Sequence, residues 1–303
     1  MKILVKICAF LSLIFAFTAY SASVIIEKQS TLEEPLKITT YSPYFPFGYE
    51  GENNDSKDLL KSVFRDVLSE FDTRPKRIFS YRSFDSLKEA VLDVKSGKTQ
   101  VFMGAFYTAE EFDYIFPAIL NNPVHLMMLP DKITNIHKAE DLKKLKGIYL
   151  QTEPFAPHIL NIFKQLSLTP VADVDEAYKQ VLTGQADYML GSYFYHYAQV
   201  VERGLKGYIV FSARPLWNMP MFIALSKQLK DSKNVREYFT RLVTRDFHAK
   251  IVERIKVLMQ EKEQKSIGVV PPAYINQNAQ QELTPADETT PADEPRPVEE
   301  GQQ

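Results

Sequence analysis

The sequence repeats one pattern twice: a helical stretch, a glycine, three small or polar residues, three apolar residues and a second glycine. The first copy runs from Gly97 to Gly104 and the second from Gly184 to Gly191, so that both glycine pairs are seven residues apart. Each copy predicts an amphipathic helix that ends at a glycine turn and leads into a short buried strand. Strands that alternate with helices form parallel sheets covered by helices, so the repeat predicts an α/β protein with two similar halves.

The segments around these units continue the alternation of strands and helices. Strands are predicted where apolar residues alternate or run together, at residues 36–41, 77–81, 101–103, 148–150, 188–190, 208–211 and 221–225. Helices are predicted where apolar residues recur every three or four positions, at residues 59–71, 87–94, 139–145, 159–166, 176–182 and 235–259. Each half is therefore expected to contain a mostly parallel sheet flanked by helices.

Residues 1–23 have the pattern of a secretory signal peptide. Lys2 and Lys6 form a positive start, an apolar run spans residues 7–19, and small residues follow it. An uncleaved membrane anchor is the alternative, but the run is shorter than the ~20 residues that span a bilayer. Cleavage removes Cys8, the only cysteine, so the mature chain is expected to have neither a disulfide nor a thiol nucleophile.

The C-terminal residues 277–303 are polar, acidic and rich in proline. Residues 284–289 are nearly repeated as residues 290–295, and large apolar side chains are almost absent. Such a segment cannot bury enough apolar surface to offset the entropy lost on ordering, so it is predicted to be disordered. We interpret it as a solubilising extension, with a tether or an interaction segment as the alternative.

Composition and motifs argue against several classes of function. The 36 Lys and Arg residues against 38 Asp and Glu residues give a net charge of -2, without the basic surplus of a nucleic-acid-binding protein. The five histidines are not spaced as metal ligands. Neither a Gly-x-Ser-x-Gly motif nor a phosphate-binding loop occurs. The sequence predicts no metal, no cofactor, no nucleic-acid partner and no catalytic residue.

Several segments carry motifs in a characteristic order. They are the loop Thr40-Tyr41-Ser42-Pro43-Tyr44-Phe45-Pro46, the unit at residues 97–104 followed by 108–111 and 115–117, the segment 140–147, the second unit at 184–190, and the strand at 220–226. Together they cover roughly residues 36–260 and resemble the bacterial periplasmic solute-binding proteins of type 2, specifically family 3, which includes amino-acid-binding proteins.

The resemblance implies an α/β fold of two lobes, joined by two crossing strands near residues 121–125 and 213–218. Lobe one would comprise residues 30–122 plus 216–268, and lobe two residues 123–215. A ligand enclosed between the lobes shifts them toward a closed form about the hinge. The resemblance further implies a periplasmic monomer that captures a small molecule for the membrane permease of an ABC-type importer.

Two positions depart from what the family uses to bind an amino acid. An arginine after its Thr-x-Glu motif grips the ligand carboxylate as a bidentate pair, and here that position is Glu111. The aspartate of lobe two that takes the ammonium group is replaced by Ser192. No arginine occurs between Arg82 and Arg203. The ligand is therefore predicted not to be a standard α-amino acid.

Aromatic residues replace the missing charges in the predicted cleft, which favours a ligand with a flat or apolar body or a cation. Most aromatic residues of the chain belong to the core, whereas Tyr44, Phe45, Tyr107 and Trp217 lie in loops expected to face the cleft. The predicted ligand-binding set is Tyr41, Tyr44, Phe45, Tyr107, Thr108, Glu111, Thr152, Glu153, Phe155, Ser192, Tyr193 and Trp217.

Two other functions fit the same fold. A few relatives of these binding proteins are dehydratases of cyclic acids, and Glu111 or Glu153 would be the cleft carboxylate that acts as general acid. That reading requires an arginine for the substrate, which the cleft segments lack. The second alternative is a periplasmic sensor or accessory protein that presents its closed form to a membrane or redox partner.

Overall fold

The computed structural model of the protein describes residues 35–41, 44–48, 62–71, 79–84, 86–107, 111–133, 136, 139–272 and 275. The predicted signal peptide and the acidic tail lie outside these residues. No helix in the described part of the chain has both the length and the apolar character needed to cross a membrane.

Nine strands form one mixed sheet. In chain order they are β1 (Leu36–Tyr41), β2 (Phe79–Phe84), β3 (Val101–Phe106), β4 (Asp113–Met128), β5 (Gly147–Leu150), β6 (Thr169–Val171), β7 (Tyr188–Ser192), β8 (Val210–Phe211) and β9 (Trp217–Leu225). Their order across the sheet is β2-β1-β3-β9-β4-β7-β5-β6, and β8 pairs with β4. Strands β1, β2 and β3 are parallel to one another, as are β5, β6 and β7.

Helices flank the sheet along its length. They are α1 (Val63–Phe71), α2 (Leu87–Lys95), α3 (Pro157–Gln165), α4 (Val174–Leu182), α5 (Tyr193–Glu202), α6 (Ser232–Leu242) and α7 (Arg245–Lys265), with a 3-10 helix at Ala139–Lys144. The two helices before the glycine turns begin at side-chain caps: Ser86 accepts a hydrogen bond from the backbone N–H of Glu89, and Asp173 accepts one from that of Glu176.

The long strands β4 and β9 connect the two parts of the sheet. They pair antiparallel from Asp113 opposite Leu225 to Val124 opposite Trp217, and beyond Val124 the strand β4 pairs with β7 instead. We call the part that contains β1 to β3 lobe one and the part that contains β5 to β7 lobe two. The predicted two-lobed α/β architecture is thus confirmed, whereas the exact domain boundaries stay a prediction.

The repeated glycine units form the predicted helix, turn and strand in both lobes. The predicted strand ends were wrong: β3 does not end at Gly104 but continues to Phe106 through an irregularity in its pairing with β9, and β7 does not end at Gly191 but continues to Ser192. Gly104 has φ +86°, and a Cβ atom there would lie 2.6 Å from Cε2 of Phe64. Glycine is therefore needed inside the strand, both for its backbone conformation and for the close packing of α1.

The single helix predicted at residues 235–259 is two helices. The chain leaves the helical conformation at Val243, and Thr244 begins α7 by accepting a hydrogen bond from the N–H of Phe247. At its first half α7 packs on lobe one, where Arg254 bonds Asp66 of α1 at 2.8 Å. At its second half it packs on α5 of lobe two. Helix α7 therefore contacts both lobes.

Candidate functional site

Polar side chains from both lobes meet at the carboxyl ends of the parallel strands, where α/β proteins bind ligands. Tyr44 lies in the turn after β1, Glu153 in the turn after β5, and Ser192 at the end of β7. Asn122 reaches the same place from the middle of β4. All four side chains are buried. The seam between the lobes thus contains a cluster of polar groups that water does not solvate.

Glu153 is the centre of this cluster and is only 5% exposed. Its Oε1 atom accepts a hydrogen bond from the Tyr44 hydroxyl at 2.9 Å and one from the backbone N–H of Ser192 at 2.7 Å. Its Oε2 atom lies 2.8 Å from Nε2 of His196. A buried carboxylate is costly unless its oxygen atoms are hydrogen-bonded, and here three groups of the protein satisfy that need.

The network extends from Glu153 in both directions. On one side, Asn122 donates from Nδ2 to the Tyr44 hydroxyl at 3.3 Å and accepts from the Ser192 hydroxyl at 3.1 Å. On the other side, Nδ1 of His196 lies 2.7 Å from the hydroxyl of Tyr178. Because burial raises the pKa of Tyr178 well above its ordinary value, this phenol keeps its proton and can donate it to Nδ1. In that tautomer Nε2 of His196 donates to Oε2 of Glu153.

Aromatic rings surround the polar cluster. The ring of Tyr44 stacks on that of Tyr195 in α5 with centroids 5.2 Å apart, and Phe47 meets Phe194 edge to face at 6.3 Å. Burial and the nearby charge of Glu153 raise the pKa of Tyr195 to about 12. The loop after β1 therefore binds lobe two through ring contacts as well as through the Glu153 hydrogen bond.

Of the predicted ligand-binding residues, the structure brings Tyr44, Glu153 and Ser192 together. Phe45 is buried nearby, with Nζ of Lys262 5.4 Å from its ring centroid. Phe155 is buried in the core, 4.8 Å from the ring of Phe163.

The other predicted residues that the structure describes are spread over both lobes. Glu111 is on the surface in an ion pair with Lys95, and Tyr107 is 48% exposed and packs on Tyr114. Thr152 is exposed in the turn after β5, Tyr193 packs on His125, Trp217 begins β9, and Tyr41 ends β1 opposite Phe84. Thr108 lies outside the described residues.

Sequence reasoning missed Asn122, His196 and Tyr178 as members of the network. Asn122 could have been found, because it is an amide inside the crossing strand predicted near residues 121–125. His196 could not, since the helix α5 that positions it was not predicted. Tyr178 lies in the predicted helix at residues 176–182, but its partner is His196 of α5. The first five residues of α5 are aromatic or histidine, a composition that is more typical of strands.

No group of three or more His, Cys, Asp or Glu side chains that could hold a metal ion occurs among the residues the structure describes. The site at Glu153 therefore consists of hydrogen-bonding and aromatic groups. Such a site can bind an organic group through a carboxylate acceptor, an amide and an aromatic face.

The sequence matches no protein-family model and no curated protein. The fold, in contrast, matches many solved structures. One is the GluR0 ligand-binding core in complex with L-glutamate, at TM-score 0.58 and 13% identity, which covers 74% of this chain and 98% of that chain. Another is a protein from Wolinella succinogenes DSM 1740, described as a binding component of an ABC transporter and complexed with lysine, at TM-score 0.58 and 18% identity, with 74% and 96% covered.

A third is the periplasmic VFT2 domain of BvgS from Bordetella pertussis, at TM-score 0.57 and 16% identity, with 75% of this chain and 96% of that chain covered. At such low identity the likeness establishes the fold alone. This chain shares the two-lobed α/β architecture of periplasmic binding proteins.

Proposed function

We propose that the protein binds a small molecule between its two lobes, that Asn122, Glu153 and Ser192 form the centre of the binding site, and that Tyr44 occupies the place of the ligand in the structure. The observation that carries the proposal is Glu153, a carboxylate buried between the lobes and hydrogen-bonded by a hydroxyl from the opposite lobe. Burial of an ionisable group between the lobes has a cost in stability that an apolar contact would not have.

The contacts of Tyr44 define the chemistry of the ligand. Its hydroxyl is bound by Glu153 and Asn122, while its ring lies on Tyr195. A ligand that replaces it needs a flat ring and a hydrogen-bond donor, such as an amine or a hydroxyl group. The departures at Glu111 and Ser192 remain the argument against a standard α-amino acid. The proposed ligand is an aromatic or heterocyclic amine or alcohol.

A ligand that contacts both lobes binds their closed form preferentially and so shifts the population toward it. Here the ligand competes with Tyr44 for the site. The apparent affinity of the ligand is therefore its intrinsic affinity multiplied by the fraction of molecules in which Tyr44 has left the site. We propose delivery of this solute to a membrane permease of an ABC-type importer by a periplasmic monomer, exported with residues 1–23 as its signal.

One observation favours a second function. The closed arrangement is held by the protein's own groups, through Tyr44 to Glu153 and through Lys262 of α7, which pairs with Glu202 of α5. A closed form that needs no solute suits a periplasmic sensor or accessory protein that is recognised in that form by a membrane partner. Release of the Tyr44 contact by a ligand would then be the signal.

A thermal-shift screen of residues 24–303 against aromatic amines, phenols, sugars and amino acids tests the proposal. Saturating binding stabilises the folded state by RT ln(1 + [L]/Kd), or ~2.7 kcal/mol at a hundredfold excess over Kd. The stabilisation should be lost in Glu153→Gln and retained in Glu237→Gln, which removes an exposed carboxylate on α6. A compound that stabilises the native chain and Glu153→Gln equally would place the site elsewhere, and a shift with ordinary amino acids would refute the charge argument.

A further inference from the structure

A second pocket lies between α5 and α7, separate from the Glu153 network. Its volume is about 350 Å³, within the ~300–1,000 Å³ of small-molecule sites. Three half-buried rings of α5 form one wall, and the apolar side chains of α7 form the other. The residues that matter for its chemistry are Tyr193, Phe194 and Tyr197 on α5, and Val252, Lys256 and Met259 on α7.

Polar contacts beside the pocket hold its two walls together. Glu263 of α7 accepts hydrogen bonds from the Tyr197 hydroxyl and from Nζ of Lys206, the latter at 2.6 Å. Lys262 pairs with Glu202 in the same region. These contacts join α7 to lobe two, so the pocket is formed by one helix of lobe two and by the helix that also packs on lobe one.

The two charged residues at the edge of the pocket differ, because one has an ion-pair partner and the other has none among the described residues. Glu263 is paired, because its hydrogen bonds with Lys206 and Tyr197 lower the pKa of its carboxyl and keep it ionised, and the Lys206 ammonium balances its charge. Lys256 lines the same pocket, is exposed, and forms no ion pair with any other described residue. The pocket thus combines an apolar interior with one uncompensated positive charge at its edge.

We propose that this pocket binds an amphipathic monocarboxylate. Its apolar chain or ring lies between the aromatic rings of α5 and the side chains of Val252 and Met259, and its carboxylate lies at Nζ of Lys256. The apolar surface supplies most of the binding, because removing CH₂ groups from water is favourable in proportion to the area buried. The ammonium group provides selectivity for an anionic head over a neutral one.

This second site has a consequence for the movement of the lobes. A molecule between α5 and α7 contacts both walls only when the helices are close together. It therefore binds that arrangement preferentially and stabilises it. By linkage, any ligand that separates α5 from α7 weakens binding of the carboxylate, and the carboxylate weakens binding of that ligand equally. The proposal itself does not depend on the site at Glu153.

Isothermal titration with octanoate, compared with octanamide as the neutral probe of the same length, tests the inference. The chain without residues 1–23 should bind one octanoate saturably and bind octanamide at least tenfold more weakly. In Lys256→Gln the two probes should bind equally. Lys250→Gln removes a lysine from the same helix that does not line the pocket, and should behave as the native chain.

Met259→Trp fills the pocket and should abolish binding of both probes. Because that variant changes packing, methyl NMR of the native chain provides an independent measurement. Octanoate should shift the Met259 methyl signal but not that of Met189, which is fully buried in lobe two. Equal affinity for octanoate and octanamide, an unchanged preference in Lys256→Gln, or an unperturbed Met259 signal at saturation would each overturn the proposal, as would absence of saturable octanoate binding.

Discussion

The hydroxyl of Tyr44 donates a hydrogen bond to the buried carboxylate of Glu153 across 2.9 Å, although the two residues are 109 positions apart in the chain. The bond joins the turn after β1 in lobe one to the turn after β5 in lobe two. Its donor also accepts a hydrogen bond from Asn122 of the connecting strand β4. One phenol hydroxyl therefore links the two lobes and the strand between them.

Tyr44→Phe tests how much this hydroxyl contributes. The ring can still stack on Tyr195, but Glu153 loses one of its three hydrogen-bond donors and Nδ2 of Asn122 loses an acceptor. We expect the free energy of unfolding to fall by about 1–3 kcal/mol, the usual cost of unsatisfied buried polar groups. Urea unfolding monitored by circular dichroism measures the change.

Tyr208→Phe is the matched control, because it removes a hydroxyl from a tyrosine that is 41% exposed. Its effect should stay within about 0.5 kcal/mol, as is usual for surface substitutions. If both variants lost the same stability, the Tyr44 hydroxyl would not be a special contact between the lobes.

Gly104, before the end of strand β3, should tolerate substitution by alanine less well than Gly184, in the turn after helix α4. Gly104 and Gly184 both have positive φ, so alanine at either position costs about 1–2 kcal/mol for the backbone. At Gly104 the new Cβ would also overlap Phe64, whereas at Gly184 nothing lies within 4 Å. Gly104→Ala should therefore lose at least about 1 kcal/mol more than Gly184→Ala. Equal losses in urea unfolding would show that α1 moves away from β3 at no cost.

The repeat of glycines shows how far the sequence determines the fold. Periodicity and glycine positions predicted the helix, turn and strand in both lobes, since those elements form from neighbouring residues. The capping Thr244 that divides α6 from α7 was within reach, because Thr followed by an acidic residue at 246 is a known helix start. The apolar spacing alone predicts one helix, because it continues across the break.

The site was less predictable, for a physical reason. Loop position predicted Tyr44 and the family resemblance predicted Ser192, but which groups satisfy Glu153 depends on the packing of four separate segments. His196 faces Glu153 only because residues 193–202 form the helix α5. The local helix propensity of this segment does not favour that helix. Which groups hydrogen-bond to each other in a buried polar network thus depends on tertiary packing, which the pattern of a single sequence does not reveal.

The phenol of Tyr195 should make stability depend on pH in the alkaline range. Its pKa is about 12 in the folded protein, against 10.0 for an ordinary tyrosine. Below pH 10 it is protonated in both states, so its contribution is fully present. Between pH 10 and 12 the unfolded chain loses this proton first, which favours unfolding, and the contribution is lost as the pH rises through 12.

Tyr195→Phe removes this titration while keeping a ring for Tyr44 to stack on. The decrease in unfolding free energy between pH 9 and pH 11, measured with urea, should be smaller in Tyr195→Phe than in the native chain. Tyr208→Phe is the control variant, because Tyr208 is 41% exposed, whereas Tyr195 is largely buried. A decrease that is identical in the Tyr195 variant and the native chain would mean that this phenol is accessible to solvent.

Lys262 should affect the position of the lobes more than overall stability. It lies over the ring of Phe45 in lobe one and pairs with Glu202 in lobe two, so it helps to hold α7 against both. Partly exposed ion pairs contribute at most about 1 kcal/mol, so Lys262→Gln should unfold nearly as the native chain does. Spin labels at Lys88→Cys on α2 and Lys164→Cys on α3, both exposed, report the distance between the lobes.

In Lys262→Gln the distance distribution should broaden toward larger values, because the second contact between the lobes is lost while Tyr44 still bonds Glu153. Combination with Tyr44→Phe should broaden it further. Lys250→Gln is the control, since Lys250 pairs with Glu70 of α1 and with Glu253 of α7 itself. A distribution in the double variant that matches the native one would show that neither Tyr44 nor Lys262 holds the lobes closed, and that the apolar packing between Phe47 and Phe194 does so instead.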